Sequence, residues 1–157
     1  MATKPFFIPE KEIHLFDEFN EELIDEIVGQ TVDIYKISIE DTETNLYGEA
    51  VGGGAKTFGS GFRVNCLIQF NEPDVEEEEF GNDVNASIEL YFHRNSLSGS
   101  NFYPEVGDVV DWNDFYWELN GITEPQLVAG HQGYKHQVRA TAHRTRLSSV
   151  NFDERKM

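Results

Sequence analysis

The sequence predicts a mainly β fold: a small antiparallel β-barrel or sandwich with an N-terminal amphipathic helix and long loops. Three observations support this class. Apolar and polar residues alternate with period two in several stretches after residue 31. Glycine-rich or acidic segments separate these stretches, and a tight polar turn at Asn113–Asp114 joins two of them. A length of 157 residues suffices for one hydrophobic core, so we predict a single domain over residues 1–157.

The first 30 residues follow a helical pattern, and we expect an N-terminal arm and helix there. Apolar side chains recur at spacings of three and four, at Phe16, Phe19, Leu23 and Ile27. The positions between them are strongly acidic: Glu18, Glu21, Glu22, Asp25 and Glu26. We expect the apolar side chains to pack on their own subunit, with docking onto another subunit as the alternative. Gly29 is expected to end the helix.

The remaining elements are predicted from the alternation of apolar and polar residues. Strands are expected at residues 32–39, 62–70, 86–93, 109–112, 115–119 and 137–143. Flexible or solvated loops are expected at residues 41–62, 71–85 and 94–101. The second of these contains the acidic run Glu76 to Glu79, which lacks the ligand spacing of a calcium site. Residues 151–157 are predicted to form a flexible tail.

The stretch 103–122 gives the clearest local signal, that of a β-hairpin. Val110 and Trp112 lead into a two-residue polar turn, and Phe115, Trp117 and Leu119 alternate with polar residues after it. Because both tryptophans of the chain lie in this stretch, we expect it to nucleate the apolar core. The face formed by Phe115, Trp117 and Leu119 is expected to be buried.

The net charge of −17 is unevenly distributed. Residues 1–90 contain 21 acidic and five basic side chains, whereas residues 91–157 contain eight and seven. The segment from Gln126 to Phe152 has no acid and four lysines or arginines: Lys135, Arg139, Arg144 and Arg146. This split favours contacts between copies or with neighbouring proteins, although an acidic surface without directed contacts is the alternative. The candidate subunit or DNA-conduit contacts are these four cations together with Glu18, Glu22 and Asp25.

The sequence contains no signal for membrane insertion or export. No apolar run approaches the roughly 20 residues that a membrane-spanning helix needs. The first 12 residues lack the basic start and apolar centre of a signal peptide. We therefore expect a soluble protein, made in a cytoplasm, with no membrane partner.

The residues that an enzyme would use do not form a recognisable pattern. The five histidines form neither an HExxH motif nor a close His–carboxylate pair on one element: His14, His93, His131, His136 and His143. The single Cys66 alternates with apolar neighbours and has no local base, which is typical of a small buried residue rather than a nucleophile. The sequence therefore predicts no enzymatic activity, no cofactor and no metal site.

Four ordered segments resemble the neck proteins of contractile-tailed bacteriophages. They begin at Leu23 (LIDEIVGQTVDIYKI), Asp41 (DTETNLYGEA), Tyr103 (YPEVGDVVDWNDFYWEL) and His136 (HQVRATAHRTRLSSV). The resemblance implies a structural virion protein, forming a sixfold or twelvefold ring that closes the DNA-filled head and connects it to the tail. The implied partners are further copies of the chain, portal or adaptor proteins, tail-terminator or tail proteins, and genomic DNA passing non-specifically through the ring. It implies no catalytic residue and no cofactor.

Three other functions remain open at this stage. The hairpin would also suit a tail-terminator or baseplate β-barrel of the same virion. A carbohydrate-binding β-sandwich would use exposed Trp112, Tyr116 or Tyr134 as a stacking surface, and burial of both tryptophans would exclude it. An enzyme, the weakest alternative, would be supported by a metal at His93 or His131.

Overall fold

A computed structural model describes residues 10–37, 56–78, 81–124, 135–145 and 150–152. Within these ranges the chain forms two α-helices and eight strands. Helix α1 spans Glu10–Glu22 and continues as a π-helical segment over Leu23–Val28, and helix α2 spans Arg94–Gly99. The strands are β1 (Thr31–Ile37), β2 (Lys56–Asn65), β3 (Leu67–Glu78), β4 (Gly81–His93), β5 (Val109–Trp112), β6 (Phe115–Thr123), β7 (Gln137–Arg144) and β8 (Val150–Phe152). Neither described helix is long and apolar enough to cross a membrane.

The eight strands lie in one sheet, in the order β3-β4-β7-β6-β5-β1-β2-β8. Neighbouring strands are antiparallel except β2 and β8, which run parallel. The predicted mainly β fold with an N-terminal helix is confirmed. In the described part of the chain the end strands β3 and β8 do not pair with each other, so hydrogen bonds do not close the sheet.

A short covalent link forces this sheet to curve. Strand β2 ends at Asn65 and β3 begins at Leu67, so only Cys66 separates them. Three consecutive Cα atoms span at most ~7 Å. Six inter-strand spacings lie between β3 and β2 in the sheet order, which would be roughly 29 Å in a flat sheet. The sheet therefore bends round until its two outer parts meet at Cys66, whose backbone N–H donates to the carbonyl oxygen of Gln30 at 2.9 Å.

The core lies on the inner face of this curved sheet. The buried apolar residues of β4 are alternate positions, Ala86, Ile88, Leu90 and Phe92. On β7, which pairs with β4, Ala140 lies opposite Leu90 and Ala142 lies opposite Ile88. Large side chains thus meet small ones across the pair, which lets the two strands fill a tightly curved interior without voids. This strict period of two explains why the sequence pattern located both strands.

The predicted hairpin is confirmed, with one correction. Trp112 pairs with Phe115 across the turn, and both turn residues have positive φ, 54° at Asn113 and 64° at Asp114. This is the backbone of the tight two-residue turns that match the twist of the flanking strands. Trp117 is buried as expected, but Phe115 is 39% exposed, so its predicted burial is wrong. Phe115 directly follows the turn, where the strand pair ends.

The glycine-rich segment before residue 62 is partly strand rather than loop. Strand β2 begins at Lys56, and Gly61 lies opposite Tyr35 of β1. A Cβ atom on Gly61 would lie 2.8 Å from the Tyr35 ring, closer than a real contact allows. The glycine therefore makes room for an aromatic side chain on the neighbouring strand, a cross-strand requirement that the local sequence does not reveal.

Two further predicted loops have regular structure. Strand β3 extends to Glu78 and β4 begins at Gly81, so most of the acidic loop at 71–85 forms a long strand pair through its backbone. The predicted loop at 94–101 contains α2, which buries Leu97. Strand β8 pairs with β2, so residues 151–152 of the predicted tail lie in a strand, and residues 153–157 lie outside the described ranges.

Substitution of two phenylalanines distinguishes packing in the core from packing at the surface. Phe92 is fully buried on β4, whereas Phe70 on β3 is 50% exposed. Truncation of Phe92 to alanine leaves a cavity, and we expect it to lower the free energy of unfolding by about 3–5 kcal/mol. Phe70→Ala removes half-exposed apolar area and should cost about 1 kcal/mol. Urea unfolding of both variants measures the difference, and equal losses would contradict this assignment of the core.

The reactivity of the Cys66 thiol provides a second test of the curved sheet. Complete burial at the β2–β3 link raises the pKa of Cys66 to about 12. Because a raised thiol pKa means that the neutral form persists up to that pH, we expect no alkylation by iodoacetamide at pH 8 in the native protein. The same reagent should modify Cys66 fully in denaturant, as mass spectrometry would show. Fast alkylation of the native protein would mean that the link is open to solvent.

Candidate functional site

The N-terminal helix is present as predicted, but it packs through a different face. Ile13 and Ile24 are its buried apolar residues, at 3% and 5% exposure. Phe16 and Phe19, which the spacing predicted to pack on the body, are 50% and 57% exposed. With 3.6 residues per turn, the buried side of the helix is rotated by roughly a quarter of a turn from the predicted one. The helix ends as expected at Gly29, which has φ 56° and donates to the carbonyl of Ile24 at 3.2 Å.

A polar contact sets this rotation, and we call it the Asp17 clasp. Asp17 lies on the buried side of α1 and accepts hydrogen bonds through both carboxylate oxygens. Its Oδ1 atom lies 3.0 Å from Nε2 of His93, at the end of β4, and its Oδ2 atom accepts from Nδ2 of Asn95 at 2.8 Å. His93 is fully buried, so Asp17 satisfies a ring nitrogen that would otherwise be buried without a partner. The clasp therefore fixes which side of α1 faces the body.

His136 lies beside the clasp, in a partly buried position that disfavours its protonated form. Its ring meets the ring of Phe16 edge-on, with centroids 5.9 Å apart. Burial lowers the pKa of His136, against the opposing influence of the Asp17 carboxylate. Protonation of this ring at acid pH would place a charge under the helix, next to an apolar side chain.

The outer side of α1 carries an apolar surface that we call the helix stripe. It consists of Leu15, Phe16, Phe19 and Ile27, each at least half exposed. Exposed carboxylates lie around it, at Glu12, Glu18, Glu22 and Glu26. Contiguous exposed apolar side chains rimmed by polar residues mark interaction surfaces in soluble proteins. The helix stripe and its acidic rim are therefore the first candidate functional surface.

Of the acidic residues predicted to make contacts, Asp25 has a different environment from Glu18 and Glu22. Asp25 is half-buried and accepts a hydrogen bond from Oγ of Ser96 in α2 at 2.9 Å. Glu18 and Glu22 are exposed. Asp25 thus helps to hold the helix on α2, while the other two remain available on the surface.

Two of the predicted cations are engaged within the chain. Nζ of Lys135 lies 2.9 Å from Glu124, and the guanidinium of Arg139 lies 2.7 Å from Glu89. The Lys135 contact lowers the pKa of Glu124, and hydrogen bonds from Tyr91 and then Arg139 lower the pKa of Glu89. Both cations therefore form ion pairs within the chain. Arg146 lies outside the described residues.

Arg144 is exposed and stacks on an aromatic ring. Its guanidinium lies 3.8 Å from the ring centroid of Phe115. Trp112 pairs with Phe115 and contacts the half-exposed Phe70, with ring centroids 6.5 Å apart. We call these four residues, Phe70, Trp112, Phe115 and Arg144, the hairpin patch. It combines exposed aromatic area with a cation, and it is the second candidate functional surface.

One polar cluster missed by the sequence reasoning is structural. Asp108 is fully buried before β5, where it accepts the backbone N–H groups of Glu105 at 2.8 Å and Ile37 at 3.4 Å. Nζ of Lys36 lies 3.2 Å from the Asp108 carboxylate. The cluster ties the turn before the hairpin to the end of β1. Its carboxylate is thereby committed to hydrogen bonds within the chain.

The described residues give little support to metal or sugar chemistry. They contain no group of three His, Cys, Asp or Glu side chains placed to hold a metal ion. His14 and His143 are exposed, and His131 and Tyr134 lie outside the described ranges. Trp117 is buried, and Trp112 packs partly against the core, so neither forms an open stacking platform. The absence of enzymatic activity stays a prediction.

The Asp17 clasp can be tested against its exposed neighbour. In Asp17→Ala the buried Nε2 of His93 loses its partner, which we expect to cost about 1–3 kcal/mol in helix docking. The measurement is amide hydrogen exchange over residues 10–28, which should accelerate. Glu18→Ala removes a neighbouring carboxylate of the same helix without touching His93, and its gain in helix propensity is smaller than that of Asp17→Ala, so it should change docking by less than about 0.5 kcal/mol. Similar exchange in both variants would show that the clasp does not hold the helix.

Comparisons with known proteins give similarity to solved structures but no matching family. No protein-family model and no curated protein matches the chain. A chain from a solved structure titled "Virion of native gene transfer agent (GTA) particle" aligns with 74% of this chain and 94% of its own length. The sequence identity is 9% and the TM-score is 0.47.

Proposed function

We propose that this chain is a structural protein of a phage-like virion, forming a ring in the neck that closes the DNA-filled head and joins it to the tail. The observation that carries the proposal is the presence of two unlike exposed surfaces on one subunit. The helix stripe is apolar with an acidic rim, and the hairpin patch is aromatic with an exposed cation, Arg144, over Phe115. The four sequence segments that resemble phage neck proteins support the same assignment.

Two unlike surfaces are what a subunit of a cyclic ring requires. In a ring each copy presents one surface to the copy before it and a different surface to the copy after it. A subunit with a single self-complementary surface would instead form a twofold dimer. The proposed assembly is a ring of six or twelve copies, with portal or adaptor proteins on one side and tail-terminator or tail proteins on the other.

The acidic charge suits a ring around a DNA conduit. Helix α1 and its π-helical extension contain eight acidic residues and one lysine. Carboxylates near the passing genome would repel its phosphates and disfavour sticking. In this proposal the DNA is a non-specific passenger, and the chain needs no cofactor and performs no catalysis.

The proposal predicts a defined oligomer of the full-length chain. Mass photometry and negative-stain electron microscopy should show closed rings with sixfold or twelvefold symmetry. A chain that stays monomeric over the accessible concentration range would overturn the proposal.

The position in the particle needs a separate measurement. An antibody against the chain, imaged on intact phage particles, should label the junction of head and tail. Labelling at the distal end of the tail would instead assign a baseplate role. Labelling confined to the upper end of a detached tail would assign the tail terminator.

A further inference from the structure

We propose that the helix stripe of one copy docks onto the hairpin patch of the next copy, and that Arg144 meets the acidic rim of that helix. This inference rests on the proposed function and specifies the contact by which the ring closes. The partner that covers the helix stripe is a second copy of this chain.

The first step is that the helix stripe is exposed although its composition suits burial. Phe16 and Phe19 are 50% and 57% exposed, while the same helix buries Ile13 and Ile24 on its other side. The Asp17 clasp prevents the helix from turning these phenylalanines inward, because that would leave His93 buried without a partner. The stripe is thus held outward by a specific contact rather than left exposed by loose packing.

The second step is that charge excludes pairing of the stripe with itself. A twofold contact would bring together two helices that each carry eight acids and one lysine. Like charges across a contact cost several kcal/mol and suppress such pairing. The partner surface must therefore be apolar and neutral or cationic. Among the described residues, the hairpin patch has this combination, with Phe70 and Phe115 exposed and Arg144 above Phe115.

The third step is that the two surfaces belong to different elements, the N-terminal helix for the stripe and strands β3, β5, β6 and β7 for the patch. In the hairpin patch, the rings of Phe70 and Trp112 contact each other and Trp117. In the helix stripe, the ring of Phe16 contacts His136. Each copy can therefore give its stripe to one neighbour and its patch to the other. Aromatic residues and arginine are also the side chains that dominate binding free energies at protein interfaces.

Cysteine cross-linking tests the contact directly. Phe19→Cys and Phe115→Cys are made as separate full-length variants, mixed, and treated with a short bis-maleimide. The buried Cys66 is shielded from the reagent. The expected product is a covalent dimer in the mixture alone, and a chain carrying both substitutions should give a ladder of oligomers. Val106→Cys, which is 61% exposed and outside both surfaces, is the matched control partner for Phe19→Cys and should give no dimer.

The possible results separate this inference from the proposed function. Dimers from Phe19→Cys alone would show stripe-to-stripe pairing and overturn the inference. Rings visible by electron microscopy, without cross-links in the mixture, would also overturn it while leaving the ring assignment intact. The absence of both rings and cross-links would overturn both. A Phe19→Cys thiol that resists maleimide in the monomer would show that another segment of the same chain covers the stripe.

A charge exchange tests the role of Arg144. Arg144→Glu should weaken assembly by more than about tenfold, since it turns attraction to the acidic rim into repulsion. Arg144→Lys keeps the charge and should weaken assembly much less. Adding Glu22→Arg to Arg144→Glu should restore part of the loss, a rescue that a purely structural role of Arg144 would not produce. Unchanged assembly of Arg144→Glu would overturn the proposed contact.

Discussion

The structure depends on the covalent link at Cys66. Strands β2 and β3 are consecutive in the chain but lie six spacings apart in the sheet order, so the sheet must curve until they meet. Curvature gives the sheet an inner face, and alternate residues of β4 and β7 fill it. It also explains why the sheet needs no hydrogen bonds between β3 and β8 to enclose a core. A small, uncharged side chain suits the link, because burial holds the thiol in its neutral form.

The N-terminal helix shows how one buried polar group can outweigh several apolar ones. Spacing favoured burial of Phe16 and Phe19, and the hydrophobic effect alone would reward it with roughly 1.5–3 kcal/mol per fully buried side chain. The helix instead buries Ile13 and Ile24 around Asp17, which hydrogen-bonds with Nε2 of His93 and Nδ2 of Asn95. An unsatisfied buried histidine costs a comparable amount, and the rotated helix keeps two apolar residues inside as well. The outcome is a docked helix whose larger apolar side chains face outward.

The sequence predicted the features that local alternation determines, and it missed those that depend on backbone pairing or on residues far apart in the chain. Alternation located β1, β4, the β5–β6 hairpin and β7, because one face of each strand is buried and side chains alternate between faces. The signal failed where backbone pairing alone decides the structure, as in the acidic extension of β3 to Glu78. It failed also where the partner is remote, as for Gly61 beneath Tyr35 or Asp17 against His93. No local pattern records a contact between residues 76 positions apart.

Ion pairs within the folded chain also change how the uneven charge distribution of the sequence is interpreted. By sequence, the acid-free segment offered four equivalent cations, yet Lys135 and Arg139 form ion pairs with Glu124 and Glu89 from other parts of the chain. Segregation of charge along a sequence is therefore not segregation on a surface. Arg144 differs because its guanidinium is placed over Phe115 at the hairpin end. In the proposed ring, a net charge of −17 keeps free subunits apart at a distance. In this proposal, a neighbouring copy overcomes that repulsion because it presents both aromatic area and a cation to the acidic rim. The same charges would therefore keep free subunits apart and make their assembly specific.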